Sequence, residues 1–421
     1  MSPSVLGHLT LGYQPVWNRL RHAVAMMVFI DQPDAVAVDA AHLLAMLDQA
    51  WSAQSPTLIL CVQPRELLLD LLEHTAPDGP WIAVQEAHLA DPLVAEQVHA
   101  AHRRGLQLLW RGEPGHRASA DTAACFALSV ITLNAGEALL GLRASLKKPG
   151  ENPGDAAAAA LDLIRSPVLA DQIFEAVPSR ILVEHCLDQQ AAWGVAGWPV
   201  DDVLFSYPQP IQPDRQTIIR LVSLTDADAQ LDLIEHTLAE EPVLAYRFLL
   251  YANSAALGLR SDVESLRHGL MLLGLSNFRN WLLAQQSHSA NDANLHPVRG
   301  AMVLRARLTE QLLDAGEEDK LRSEVYLCGL LSQIDLVLGE PLTTVLQRLP
   351  VSDRISAAIH ARSGPYAPYL EVATALEYPR MNSVPALCEE HGIDLGDVNR
   401  VLLRVLAAAQ PHAHSTPASR N

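Results

Sequence analysis

The feature that most constrains this chain is its stretch Glu240 to Gln286, which reads as three short helices with clear punctuation. Pro242 suits the first turn of a helix, where its missing N–H would be unpaired anyway. Val243 to Tyr251 is apolar almost all round, so that helix must be buried on most sides. Asn253 and Ser254 supply side-chain oxygens where it ends. Val263, Leu266, Leu270 and Leu273 then repeat at helical spacing and define one face. Gly274 stands where a left-handed C-cap would be. Ser276 is placed to cap the next helix, whose inner face would be Phe278, Trp281 and Leu282.

These residues together resemble the HDOD family: Glu241-Pro242 with Leu244, then Asn253-Ser254, Leu272-Leu273-Gly274 and Trp281. The likeness continues through Tyr326 to Leu331. The family is an all-helical relative of the HD phosphohydrolases in which the metal-binding residues are lost. An active relative would carry His-Asp after the two leucines; this chain has Ser332 and Gln333, which do not replace an imidazole and a carboxylate as metal ligands. The resemblance implies a binding or scaffolding domain, with Pro242, Asn253, Ser254, Gly274 and Trp281 as structural residues.

The chain before this stretch has a different rhythm. Continuous apolar runs alternate with amphipathic stretches: Ala23–Ile30, Thr57–Val62, Trp81–Gln85, Leu106–Trp110, Leu128–Leu133, Arg180–Glu184 and Asp202–Ser206. Such runs predict parallel strands covered on both faces, and seven of them suit a (β/α) barrel with one strand unseen or lost. Lys147 to Asp155 reads as a loop and Ala156 to Ile164 as a helix. Pro208 to Pro213 reads as a linker, after which every pattern is helical; Ser352 and Asp394 are among the N-caps. The fold class is therefore α/β, a barrel, followed by an all-α domain. The expected division is 1–210, 211–410 and a flexible tail over 411–421.

The barrel's two ends resemble the EAL domain, whose active members hydrolyse cyclic di-GMP. Leu11 to Val16 looks like the opening YQP signature. Ile181 to Glu184 and Phe205-Ser206-Tyr207 with Pro210 look like the closing segments. The family's hydrolysis needs carboxylates and an Asn around divalent metals, plus a Lys. Those positions fall here on Ala25-Met26-Met27, Cys61, about Ala83, Arg111-Gly112 and Thr132; Glu184 keeps a carboxylate and Glu86 lies nearby. The resemblance thus implies a degenerate phosphodiesterase with no catalytic residues, no metal and no cofactor, hence no enzyme.

Net charge is −18, which argues against a nucleic-acid partner, since phosphate binding needs clustered Lys and Arg. The five cysteines are scattered in apolar contexts, as in a reducing compartment. No apolar run approaches the roughly 18 residues of a membrane span, and no secretion signal opens the chain. The expectation is a cytoplasmic bacterial regulator working through protein–protein interaction with unnamed signalling partners; a homo-oligomer is compatible with it. The alternative is a receptor binding cyclic di-GMP without cutting it, with Arg111 and Glu184 as ligand-binding residues. Arg103 and Arg104 would add basic charge near Arg111. Glu184-His185 reads first as a scaffold pair and second as an acid/base pair.

Overall fold

The computed structural model describes residues 5–33, 36–116, 118–146, 166–254, 263–313, 319–379 and 381–409. The chain forms two compact units, Met1–Asp202 with Ala375–Asn421 and Val203–Thr374.

The first unit is a closed barrel of eight strands among the described residues: β1 (Thr10–Trp17), β2 (Ala23–Asp31), β3 (Thr57–Val62), β4 (Trp81–Gln85), β5 (Leu108–Gly112), β6 (Leu128–Thr132), β7 (Ile173–Glu175) and β8 (Gly194–Ala196). Strands β2 to β8 pair in parallel, in chain order. β1 runs antiparallel to both of its neighbours, β2 and β8. Leu58 to Val62 are all buried, as strands packed on two faces must be. The intervening helices start on side-chain caps: Asp39 accepts from His42 N, Asp91 from Leu93 N, and Asn134 forms a reciprocal capping box with Glu137.

Five of the seven apolar runs form strands. The other two do not, which corrects the strand reading. Arg180–Glu184 is a helix capped by Ser179, and Val200–Phe205 is a helix too. A short apolar run has no periodicity to separate strand from buried helix; Leu182 and Val183 are buried in either case. The strands missed in their place are β7 and β8, three residues each, and β1. Pro15 sits inside β1 and demotes it by sequence, yet its carbonyl still accepts from Gly197 N at 2.9 Å. The loop and helix read over 147–164, and the tail 411–421, lie outside the described residues.

The C-terminal segment belongs to the barrel unit, not to the helical one. Asn399, fully buried on the helix Leu395–Ala408, donates to Leu6 O at 2.8 Å and Leu9 O at 2.7 Å. Tyr13 N donates to Leu376 O at 2.9 Å. An amphipathic helix advertises a buried face but not the surface that covers it, so helical pattern alone drew 375–409 into the second domain. Gly12 allows this closeness: a Cβ there would lie 2.6 Å from Tyr378 O and 2.7 Å from Met381 Cγ. Gly12→Ala is expected to cost about 1–3 kcal/mol by overpacking, read as a lower urea midpoint. An unchanged midpoint would mean that the segment yields freely.

The second unit is helical among the described residues. Its axis is the buried helix Pro242–Ala252, with His296–Leu312 and Asp319–Leu331 beside it. The last two approach so closely that a Cβ on Gly329 would lie 2.6 Å from Ala306 Cα.

Candidate functional site

The parallel strands end together, and five of their side chains converge at that C-terminal mouth. The register pairs Phe29 with Cys61, Gln85 with Arg111, and Thr132 with Glu175. Arg111 donates from Nε to Glu175 Oε1 at 2.9 Å and from Nη2 to Glu175 Oε2 at 3.1 Å, a two-pronged pair. Thr132 Oγ1 donates to Glu175 Oε1. The guanidinium carbon lies 5.3 Å from the centre of the Phe29 ring, within cation–π reach. The pair is buried, with side chains only 15% and 5% exposed. Burial pushes the Cys61 thiol up to about 12; Arg111 opposes that rise and Glu175 adds to it. Cys61 is therefore a neutral packing group, not a thiolate.

Chemically the mouth offers a fixed guanidinium, a hydroxyl and an aromatic face, with one carboxylate already engaged. Such a set can recognise an anion if the anion displaces Glu175. Glu86 lies beside the end of β5, where a Cβ on Gly112 would be 3.0 Å from its Oε2, and the same oxygen is 3.1 Å from His116 Nδ1. Among the described residues no three His, Cys, Asp or Glu side chains are grouped to hold a metal ion.

The structure keeps Arg111 at the mouth but removes Glu184 from it. Glu184 ends a helix and pairs with Arg180 Nε at 2.8 Å, one turn back. His185 is buried, with Nε2 2.9 Å from Ser166 Oγ and Nδ1 2.6 Å from Gln189 Oε1. The two neighbours thus serve separate packing networks. The carboxylate that does reach the mouth is Glu175, which the sequence reading missed; its three-residue strand carries no periodicity. Arg103 and Arg104 end the helix before β5, whereas Arg111 lies near that strand's far end, so they do not extend the basic group.

In the helical unit each signature residue has a structural task. Glu241 is the N-cap before Pro242 and accepts from Leu244 N. Asn253 binds three backbone groups: it donates to Leu249 O at 2.8 Å and Val263 O at 2.9 Å, and accepts from Val263 N at 2.8 Å. Ser254 Oγ is buried and has no hydrogen-bond partner among the described residues. Gly274, at φ 74°, ends Leu266–Leu273 and also precedes Leu275–Gln285, so Ser276 lies inside that helix and is not its cap. Trp281 stacks on Tyr251 at 5.8 Å and Phe278 at 5.9 Å, and meets Phe248 edge-on at 5.4 Å. Ser332 Oγ donates to Gly329 O at 2.7 Å and accepts from Arg305 Nη1 at 3.3 Å. Ser352 holds the N-cap position of its helix as read, but its Oγ donates to Glu324 Oε2 at 3.1 Å and makes no capping hydrogen bond.

Residues 210–349 match the HDOD domain family. A curated relative from Vibrio cholerae, named cyclic di-GMP phosphodiesterase CdgJ, is 22% identical over 170 residues, 40% of this chain and 39% of that protein. The match thus spans about two fifths of that relative's length. Among solved structures, the MmoQ response regulator of Methylococcus capsulatus is similar at 17% identity and TM-score 0.38, over 46% of this chain and 98% of that one. The Bacillus subtilis YkuI protein, solved with an EAL domain in complex with substrate c-di-GMP and calcium, is similar at 12% identity and TM-score 0.28, over 45% and 53%.

The chain therefore carries an HDOD domain after a closed eight-stranded α/β barrel. The expectation that it is no enzyme is corrected here. A relative matched at this level is named as a phosphodiesterase, so kinship points towards an enzyme family, and missing ligand types in a sequence do not overrule it. No described helix is long and apolar enough to cross a membrane.

Proposed function

We propose that this protein is a cyclic di-GMP-linked regulator: the barrel mouth takes the anionic dinucleotide, and the HDOD half passes the state on through contact with a partner protein. The observation that carries the reading is the buried Arg111 guanidinium, held between the Glu175 carboxylate and the Phe29 ring at the mouth. A phosphate is the natural competitor for a two-pronged guanidinium. The HDOD half supports the output role, because Asn253, Trp281 and Ser332 are committed to internal contacts. A reducing cytoplasm fits five buried, unpaired cysteines.

Calorimetric titration with cyclic di-GMP, with and without Mg²⁺, tests this, followed by analysis of the nucleotide for cleavage. Saturable heat is expected. Removing the guanidinium is expected to weaken binding about tenfold or more, since a hydrogen bond to a charged group contributes about 1.5–3 kcal/mol. Cleaved product would make the barrel a phosphodiesterase, and intact nucleotide would make it a receptor. No heat at millimolar dinucleotide sinks the ligand half of the reading.

A further inference from the structure

The wall of the barrel mouth beside Phe29 is not made by the strands alone. Strand β1 runs with its start at the mouth, where Thr10 stands opposite Asp31 at the end of β2. On its other edge β8 is short and pairs with β1 only at Val16 and Trp17. The mouth half of that edge is left to another partner, and Tyr13 N donates to Leu376 O at 2.9 Å. Leu376 follows the helix Ala367–Ala375, so the chain reaches this seam only after passing through Val203–Thr374.

Past the seam the same segment lies on the inner face of the barrel. Gly12 pairs with Phe29, and directly opposed residues of an antiparallel pair point to one face. That face is the inner one, since the Phe29 ring carries the Arg111 guanidinium. On it a Cβ at Gly12 would lie 2.6 Å from Tyr378 O, 2.7 Å from Met381 Cγ and 3.1 Å from Met381 Sδ. Met381 thus takes the place that a side chain on Gly12 would fill, and opposed Cβ atoms stand only about 4.5–5.5 Å apart. Met381 is 4% exposed and Phe29 1%, although Phe29 stands near the mouth end of β2. A thioether suits such a gap, because it is pliable and packs well against aromatic rings.

We propose that Met381 is a positioning residue of the mouth: with the Tyr378 carbonyl it walls the site over Gly12 and holds the Phe29 ring on Arg111. The anion site is then complete only with the chain that leaves the helical unit, which gives that unit a covalent route to the mouth. Its meaning for binding rests on the dinucleotide reading above, whereas the packing stands by itself.

NMR of the full chain supplies a test that needs no ligand. The Arg111 Nε–H resonance lies in the ring current of Phe29 and is assigned by its loss in a protein carrying Arg111→Met and Glu175→Leu. Met381→Ala is expected to move it downfield as the ring loses its backing. The same variant is expected to bind cyclic di-GMP about threefold or more weakly, the order that a cation–π contact is worth. Met381→Leu, close in volume, should restore both. Leu182→Ala is the control for stability alone, since it opens a cavity beside Gly141 between two outer helices. It should lower the urea midpoint and leave the resonance in place. If Met381→Ala does not fold, Met381→Val is read in the same way. An unmoved resonance overturns the proposal, as does an equal shift in Leu182→Ala, and so does unchanged affinity in a variant whose resonance has moved. No binding by the unaltered protein sinks the dinucleotide reading instead, and the resonance then decides the positioning role.

Discussion

Arg111→Ala is expected to destabilise the barrel unit by about 3–5 kcal/mol, because it leaves the Glu175 carboxylate buried without its counter-ion. Glu175 would keep only the Thr132 hydroxyl among its present side-chain partners. The cation–π contact with Phe29 goes too, worth about 0.5–2 kcal/mol at a desolvated site. The pair as a whole contributes much less than that loss suggests, since taking two charges out of water costs several kcal/mol each. Arg111→Met with Glu175→Leu should therefore recover most of the stability of the single variant. Urea unfolding of the three proteins separates these effects. A single variant within about 1 kcal/mol of the parent would mean that solvent reaches Glu175 and that the pair is not buried in the working molecule. The folded double variant is also the right one for the dinucleotide titration, because lost binding there cannot be blamed on a collapsed barrel.

The sequence was informative where chemistry is local and silent where three strands or one distant surface decide. Caps read in part: Asp394 and the Pro242 turn stand where punctuation put them, whereas Ser276 lies inside its helix. The Val263–Leu266–Leu270–Leu273 face is buried as its spacing required. Long apolar strands were visible because two-sided burial leaves continuous runs. β7 and β8 were not, since three residues show no period, and Arg180–Glu184 offered a more apolar decoy. That substitution moved the candidate carboxylate from Glu175 to Glu184. Arg111 could be set near the end of a strand because that strand's pattern was clear. Its partner, 64 positions along the chain, was beyond any local signal. The buried Arg299–Glu241 pair was hidden for the same reason, because nothing near Glu241 in the chain announces Arg299.

Trp281→Ala is expected to cost the helical unit about 3–5 kcal/mol, the range for deleting a large aromatic from a core. The indole is 7% exposed and touches three rings on two helices. Phe248 and Phe278 also meet edge-on at 5.2 Å, so the four rings form one body. Two of the partner rings, Phe248 and Tyr251, lie on Pro242–Ala252, whose end Asn253 ties to Val263. A cavity there loosens the helix that carries both the family signature and the Glu241 cap. Trp281→Phe should cost roughly half as much, because a ring still fills the shelf between Tyr251 and Phe278. The other six tryptophans (Trp17, Trp51, Trp81, Trp110, Trp193 and Trp198) all lie before residue 203, so they report the barrel unit alone. In the variant their fluorescence transition should stay in place while exchange in Pro242–Ala252 and Leu266–Leu273 accelerates. A loss below about 1 kcal/mol would mean that neighbouring rings collapse into the space; a shift in the barrel transition instead would mean that the two units unfold as one.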